Sequence, residues 1–230
     1  MTIRYHEQVE QGSDEWLRMR RGIITASNIS KILTPKGLKI STSTGYLYQF
    51  CRQSIDSMPF GEFSTKHTDR GHIEEALALQ VYEANHVAVK RCGFIENDNH
   101  GFTIGCSPDA LVGDDGGVQV KSFTPDNQFG NIVDDNIEPA HMLQVQMELL
   151  VSEREWWDFI HQSSGTHQIV TRVTPRPLIH AAILDSCRDF YTRVDAALEI
   201  YRRKITDNTR YFQTEYVAGL YDKIEEEIVI

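Results

Sequence analysis

The feature that most constrains this chain is a hairpin signature in its middle. Cys106-Ser107-Pro108-Asp109 leads into the apolar run Ala110-Leu111-Val112. Gly113-Asp114-Asp115-Gly116-Gly117 follows, and Val118-Gln119-Val120-Lys121 then alternates apolar and polar. A stretch of glycine and aspartate between two strand-like runs is a turn signal. Successive strand side chains point to opposite faces, so Val118 and Val120 share one face and Gln119 and Lys121 the other. A hairpin of this kind brings Asp109, Gln119 and Lys121 to a common surface. An acid, a second oxygen donor and a lysine on one sheet face suit metal-dependent phosphodiester cleavage. Hard divalent cations take oxygen ligands, and the lysine offsets negative charge near the scissile phosphate. A solvated hairpin with surface polar groups fits the same residues, and the hairpin alone does not separate the two readings.

The rest of the chain bounds the setting. Its 230 residues, 40% of them apolar, fit one domain over 1–230 with a buried core. No stretch reads as a signal peptide, and no apolar run approaches the about 18 residues of a membrane span. A soluble, cytoplasmic protein without a membrane partner is expected. The four cysteines, at 51, 92, 106 and 187, match no CxxC metal pattern and read as reduced, buried thiols. The nine histidines show no zinc spacing. A net charge of −10 argues against a nucleic-acid partner. The charge is uneven, however: residues 1–70 hold ten Lys/Arg against seven Asp/Glu, and residues 71–230 hold thirteen against twenty-six. An acidic exterior with a locally basic groove is compatible with DNA entering one cleft, and bound divalent cations would add positive charge there.

Taken in order, Ser13 caps a short helix that carries Arg18, Arg20 and Arg21 and stops at Gly22. Thr25-Ala26-Ser27 leads into a second helix with Ile29, Ile32 and Leu33. A serine at a helix start is usually a cap, although beside an arginine its hydroxyl and the free helix N–H groups also suit a phosphate. A loop over 35–44 precedes a helix from Gly45 to Ser57, ended by Pro59. A second loop, Gly61 to Thr68, carries Lys66. Ile73, Leu77 and Val81 mark a helix over 69–85, with Glu74 and Glu75 in its first turn, where acids suit the helix dipole. Strands are expected at 87–95, 101–104, 155–160 and 168–173. Residues 123–138 read as a loop, and 139–151 and 177–203 as helices. Trp156 and Trp157 read as core or sheet-face residues. This order predicts a mixed α/β (α+β) fold with its sheet in the middle of the chain.

Five separated blocks carry a family resemblance. They are Glu10-Gln11-Gly12-Ser13-Asp14-Glu15-Trp16 running on to Arg20-Arg21-Gly22-Ile23-Ile24-Thr25-Ala26-Ser27; Arg70-Gly71 with Glu75; Cys106-Ser107-Pro108-Asp109-Ala110; Val118-Gln119-Val120-Lys121; and Gln144-Val145-Gln146. In this order and spacing the chain resembles the phage lambda exonuclease (YqaJ-like) family of alkaline exonucleases, in the PD-(D/E)xK nuclease superfamily, over roughly residues 9–200. It looks like a bacterial or prophage member. The resemblance implies a restriction-endonuclease-like core, a central mixed sheet flanked by helices, with the segment 206–230 packing on the domain or on a neighbouring subunit. It implies a Mg²⁺-dependent 5′→3′ exonuclease on linear double-stranded DNA that leaves 3′ single-stranded tails. Two metal ions per site (Mn²⁺ substituting), a ring-shaped homotrimer and a single-strand annealing partner in recombination follow from it.

Roles carry over residue by residue. Asp109 is similar to the central metal ligand, Gln119 stands at the second acid position, and the Val120 carbonyl is a further ligand. Lys121 resembles the lysine that positions the attacking water. Glu75 resembles the helix acid of the second metal site, with Glu74 one residue away, and Gln144 the glutamine near the reacting phosphate. Arg20, Ser27 and Ser107 resemble a 5′-phosphate pocket, and Lys66 and Arg70 are candidate DNA contacts. The family expects Glu at position 119, and glutamine brings one negative charge fewer. A natural, active variant of the site is the favoured reading; an engineered substitution and a non-catalytic DNA-end-binding subunit are the others. A restriction-like or nicking endonuclease on the same core is the competing enzyme.

Overall fold

The computed structural model describes residues 2–55 and 66–214, and the side chains of 66–69 are outside that set. In chain order the elements are β1 (Ile3–His6), α1 (Asp14–Met19), β2 (Ile24–Thr25), a 3-10 helix (Ala26–Lys31), α2 (Gly45–Ile55), α3 (Lys66–Asn85), β3 (Phe94–Asn97), β4 (Ile104–Cys106), β5 (Ala110–Val112), β6 (Gly116–Ser122), α4 (Pro125–Asp134), α5 (Pro139–Ser152), β7 (Trp156–Gln162), β8 (Ile169–Val173) and α6 (Pro177–Lys204). The strands form two mixed four-stranded sheets, ordered β1-β3-β4-β2 and β5-β6-β7-β8. A bridge between Lys90 and Leu111 ties the segment before β3 to the second sheet. The expected helix end at Pro59, the expected loop over 61–68 as far as residue 65, and the tail from 215 lie outside the described residues, while 66–68 belong to α3 and not to a loop.

The hairpin forms as its turn predicts, with β5 and β6 antiparallel and Ala110 paired with Val118. Gly116 and Gly117, read as turn, already belong to β6. They are small because β7 runs parallel beside them: a Cβ on Gly116 would meet the Trp156 ring at 2.2 Å, and one on Gly117 the Trp157 ring at 2.4 Å. Trp157 is fully buried. Trp156 is covered by the Arg172 guanidinium, 3.6 Å from its ring centroid. Both therefore act as sheet-face residues, as expected.

One face of β6 closes a small core. Val118 and Val120 pack with Ala110, Val112 and Ile160 against Ala78, Leu79 and Tyr82 of α3. The other face, with Gln119 and Lys121, is turned toward the side on which α5 packs. That helix is buried from Val145 to Ser152 and joins the larger core with α2, α6, β4 and the 3-10 helix. Ile73, Leu77 and Val81, which mark α3 in the sequence, are exposed. The helix is where periodicity put it, but its inner face is made by Ala78, Leu79 and Tyr82.

Other differences have local causes. The segment expected as a loop after β6 contains α4. Thr124 caps it, its Oγ1 accepting the Asn127 N–H at 3.4 Å, and Pro125 fits the first turn. The helix expected after Thr25 is a single 3-10 segment, and Thr25 makes no side-chain cap bond. The four cysteines are free and buried, as read. Among the described residues no helix is long and apolar enough to cross a membrane.

Candidate active site

The hairpin register sets Asp109 beside the Gln119–Val120 peptide. Asp109 Oδ2 accepts the Val120 N–H at 2.6 Å and the Gln119 side-chain amide at 2.5 Å. The same Gln119 nitrogen donates to the Val120 carbonyl at 3.1 Å. Gln144, from α5, donates through one amide nitrogen to Gln119 Oε1 and to Glu148 Oε1, both at 2.8 Å. Glu148 stands one helical turn after Gln144, so the two share a face. A relay thus runs from Glu148 through Gln144 and Gln119 to Asp109, with every amide N–H directed to an oxygen. Asp109, Gln119 and Glu148 are buried, Glu148 to 1% exposure. Glu148 Oε2 has no hydrogen-bond partner.

The two acids of α3 are used differently. Glu74 is buried and accepts from Gln162 Nε2 and the Ser164 N–H, each at 3.0 Å. It fastens α3 to the end of β7. Glu75 is partly exposed and pairs with Arg91, whose guanidinium also donates to the Asp109 carbonyl at 3.0 Å. Glu75, not Glu74, therefore borders Asp109.

A third group gathers around Trp16. Arg20 stacks over its ring at 3.9 Å from the centroid. The Trp16 indole N–H donates to Ser107 Oγ at 2.9 Å and to the Gly93 carbonyl at 3.2 Å. Arg20 also donates to Ser27 Oγ at 3.3 Å. Ser27 is exposed and does not cap the 3-10 helix; its hydroxyl meets Arg20 and Thr25 instead. Arg20, Ser27 and Ser107 are thereby joined in one contact set, two residues along the chain from Asp109. Arg70 stands exposed on α3, outside this network. Lys66 opens α3, and its side chain is outside the described residues.

Burial dominates the electrostatics. It pushes the Asp109 carboxyl up to about 7, with Glu75 adding to the rise and Lys121, the Val120 N–H and Arg91 opposing it. Burial pushes Glu148 up to about 8, with Asp109 adding and Gln144 and Lys121 opposing. Burial, then Lys121 and His161, brings His141 down to about 4, which keeps its ring neutral beside Lys121. Lys121 is thus the cation felt by two buried acids and a histidine.

The donor set fits a hard divalent cation. Asp109 and the Val120 carbonyl already converge on one point, where the Gln119 amide nitrogen sits, and Gln119 brings its own carbonyl oxygen. Among the described residues no three His, Cys, Asp or Glu side chains cluster as a metal site, so carbonyl oxygens would have to complete the ligand set. The structure brings Asp109, Gln119, Val120 and Gln144 together. Arg91, His141 and Glu148 were not singled out. Only Glu148 left a signal, as a carboxylate within the apolar run Val145-Gln146-Met147-Glu148-Leu149-Leu150-Val151.

Residues 15–155, more than half of the chain, match the model of the YqaJ-like viral recombinase domain. No curated protein matches the chain. Among solved structures the chain is similar to the alkaline exonuclease LHK-Exo from Laribacter hongkongensis, at TM-score 0.75 and 23% identity over 84% of this chain and 98% of that one. LHK-Exo in complex with dAMP gives TM-score 0.74 and 24% identity over the same shares. A phage-related exonuclease from Haemophilus somnus 129PT gives TM-score 0.53 and 14% identity over 80% of this chain and 96% of that one. The mixed α/β architecture is thus shared with the alkaline exonuclease fold.

Proposed function

Because the chain belongs to the YqaJ-like viral recombinase family, we propose that it is a divalent-metal-dependent exonuclease, one that digests one strand of linear double-stranded DNA from a 5′-phosphorylated end and leaves a 3′ single-stranded tail. The observation that carries this reading is an adjacency. An oxygen cradle with Lys121 on its face lies beside a pocket in which Arg20, Ser27 and Ser107 offer donors to an anion. The exonuclease names of the structural relatives agree with it.

Asp109, Gln119, the Val120 carbonyl and Glu75 would hold Mg²⁺ or Mn²⁺, two ions per site. When bound, these ions polarise the scissile phosphate and activate water. The chain's own groups do the rest. Lys121 holds the attacking water and offsets its developing negative charge. His141, held neutral, adds no competing charge beside Lys121. Gln144 fixes the Gln119 amide and reaches toward the reacting phosphate. Arg20, held flat by Trp16, grips the terminal 5′ phosphate through its fork of N–H donors. The Ser27 and Ser107 hydroxyls donate to the same group. Arg70 and Lys66 follow the duplex from α3. The assembly is a homotrimer around DNA, and the tail passes to a single-strand annealing protein in recombination.

Incubation of linear and closed circular duplex with Mg²⁺, each end type with and without a 5′ phosphate, tests the reading. Loss of linear DNA only, faster with the phosphate, is expected. Cut circles would make the protein an endonuclease, and bound but intact ends a non-catalytic end binder. Sizing at micromolar concentration tests the trimer, which a monomer would sink.

A further inference from the structure

The site has one carboxylate short of what its position 119 would ordinarily bring, and one carboxylate too many in its wall. Glu148 is 1% exposed, lies in an otherwise apolar stretch of α5, and has an oxygen without a partner. A buried carboxyl left half-satisfied is costly to the fold, unless something at the site uses its charge. Its other oxygen is the far end of the relay: Glu148 accepts from Gln144, Gln144 donates to Gln119, and Gln119 donates to Asp109 and to the Val120 carbonyl. Gln144 donates in both directions, to Gln119 and to Glu148, whereas the Gln119 amide nitrogen turns to Asp109 and the Val120 carbonyl, as if it stood in for a cation. For Gln119 to offer an oxygen there, its amide must turn over. Gln144 must then turn its oxygen to the Gln119 amide while keeping an N–H on Glu148, an arrangement that an ionised, acceptor-only Glu148 favours.

We propose that Glu148 is the displaced second acid of the site: a positioning residue that, through Gln144, sets the orientation of the Gln119 amide and, by releasing its proton to solvent when a divalent cation binds, supplies from the helix the negative charge that glutamine at 119 does not. This rests on the metal-dependent reading above. Glu148 lies within the field of both Asp109, which holds its proton on, and Lys121, which draws it off, and this supports the proposal. Glu148 is linked to Asp109 through Gln144 and Gln119, so its effect is electrostatic and orientational.

The test is Mn²⁺ binding to the intact protein without DNA, read by electron paramagnetic resonance and by calorimetry. Four proteins are compared: wild type, Glu148→Gln, Gln119→Glu, and the two together. Glu148→Gln keeps an acceptor for Gln144 and removes only charge, and partners at this remove usually tune metal affinity by about 10- to 100-fold. Mn²⁺ binding weakened by about that factor is expected for Glu148→Gln, with Gln119→Glu tighter than wild type. The double variant, with the acid moved back to the hairpin, returns to within about threefold of wild type on the same scale. Equal Mn²⁺ affinity in wild type and Glu148→Gln overturns the proposal, as does a double variant no better than Glu148→Gln. Either result leaves the metal-dependent reading standing, whereas a wild type that binds no Mn²⁺ removes both. Should Glu148→Gln not fold, Glu148→Asp replaces it: retained charge predicts near wild-type Mn²⁺ binding, and a loss as large as in a charge-free variant counts against the proposal.

Discussion

The Arg20 pocket and the Asp109 relay are separated by two residues of chain, at Ser107 and Asp109, and they are built on opposite principles. The pocket is partly exposed and rests on a permanent cation, and its rigid element is the buried Trp16 ring. Arginine stays charged at any working pH, so the pocket is ready for an anion at all times. The relay is buried, its centre is made of oxygen acceptors, and amide N–H groups hold those acceptors together. Its carboxyls resist ionisation because burial penalises the charged form. One region awaits an anion, the other a cation, and a metal-bound 5′-phosphorylated DNA end presents both. The comparison teaches that anchoring and chemistry are separately breakable here.

The widest break should come from Asp109→Asn. Asparagine retains an acceptor for the Val120 N–H but removes the charge at the centre of the cradle. Metal-assisted charge stabilisation amounts to several kcal/mol, so hydrolysis of linear duplex should fall by at least about a hundredfold. Stability in chelator should hold or rise, because a buried carboxylate has been removed. Binding of a 5′-phosphorylated end in chelator should be unchanged, as the Arg20 pocket is untouched. A variant that loses end binding along with hydrolysis would mean the two regions are one.

Next in size is a pH effect peculiar to the relay. Asp109 and Glu148 are held at about 7 and about 8. The unfolded chain releases those protons near pH 4, so between about 4 and 8 the folded protein binds more protons and its stability falls as pH rises. A tenfold change in proton affinity is worth about 1.4 kcal/mol, so rises from about 4 to about 7 and about 8 together amount to on the order of 10 kcal/mol at most. Thermal unfolding in chelator from pH 5 to 9 should show a falling Tm. Glu148→Gln should flatten the upper half of the curve, and saturating Mg²⁺ should lift its alkaline end. Arg20→Ala should leave the slope as it is.

Arg20→Ala is the mirror of Asp109→Asn. A charge-assisted hydrogen bond contributes about 1.5–3 kcal/mol, so digestion of 5′-phosphorylated ends should slow by roughly ten- to a hundredfold on that scale. Ends bearing a 5′ hydroxyl should be digested at the wild-type rate. Equal slowing of both end types would place Arg20 in the chemistry and not in the anchor.

The two regions also differ in how far they could be read beforehand. Turn residues and period-two alternation are local, and they sufficed for the hairpin, for Asp109 beside Gln119, and for the valine face beneath them. The stripe Ile73, Leu77 and Val81 marked α3 correctly but faces solvent. Periodicity detects that apolar residues share a side; it does not say which side a sheet covers. Here small Ala78 and flat Tyr82 allow the closer approach to β6. The resemblance favours Glu75, with Glu74 one residue away, and the partners Gln162 and Ser164, supplied to Glu74 from 88 and 90 residues away, separate the two. Glu148 fell out of view for the same reason. Its contact with Gln144 is ordinary helix spacing, but the link from Gln144 to Gln119 exists only once α5 is laid on the polar face of β6.

The smallest effect sharpens the boundary between the regions. Among the described residues Arg91 is the cation that touches the relay from outside the hairpin, bonded to Glu75 and to the Asp109 carbonyl. Its side chain is 58% exposed, and exposed pairs of this kind contribute about 0–1 kcal/mol. Stability should therefore barely change in Arg91→Ala. Glu75, however, is the acid assigned to the second ion, and Arg91 competes for it. Removing the guanidinium should tighten Mn²⁺ binding by up to about fivefold, the equivalent of that same energy, with the preference for 5′-phosphorylated ends intact. Weaker Mn²⁺ binding would instead make Arg91 a strut that holds Glu75 in place, and would shift the edge of the cation-binding region from Glu75 back to the hairpin.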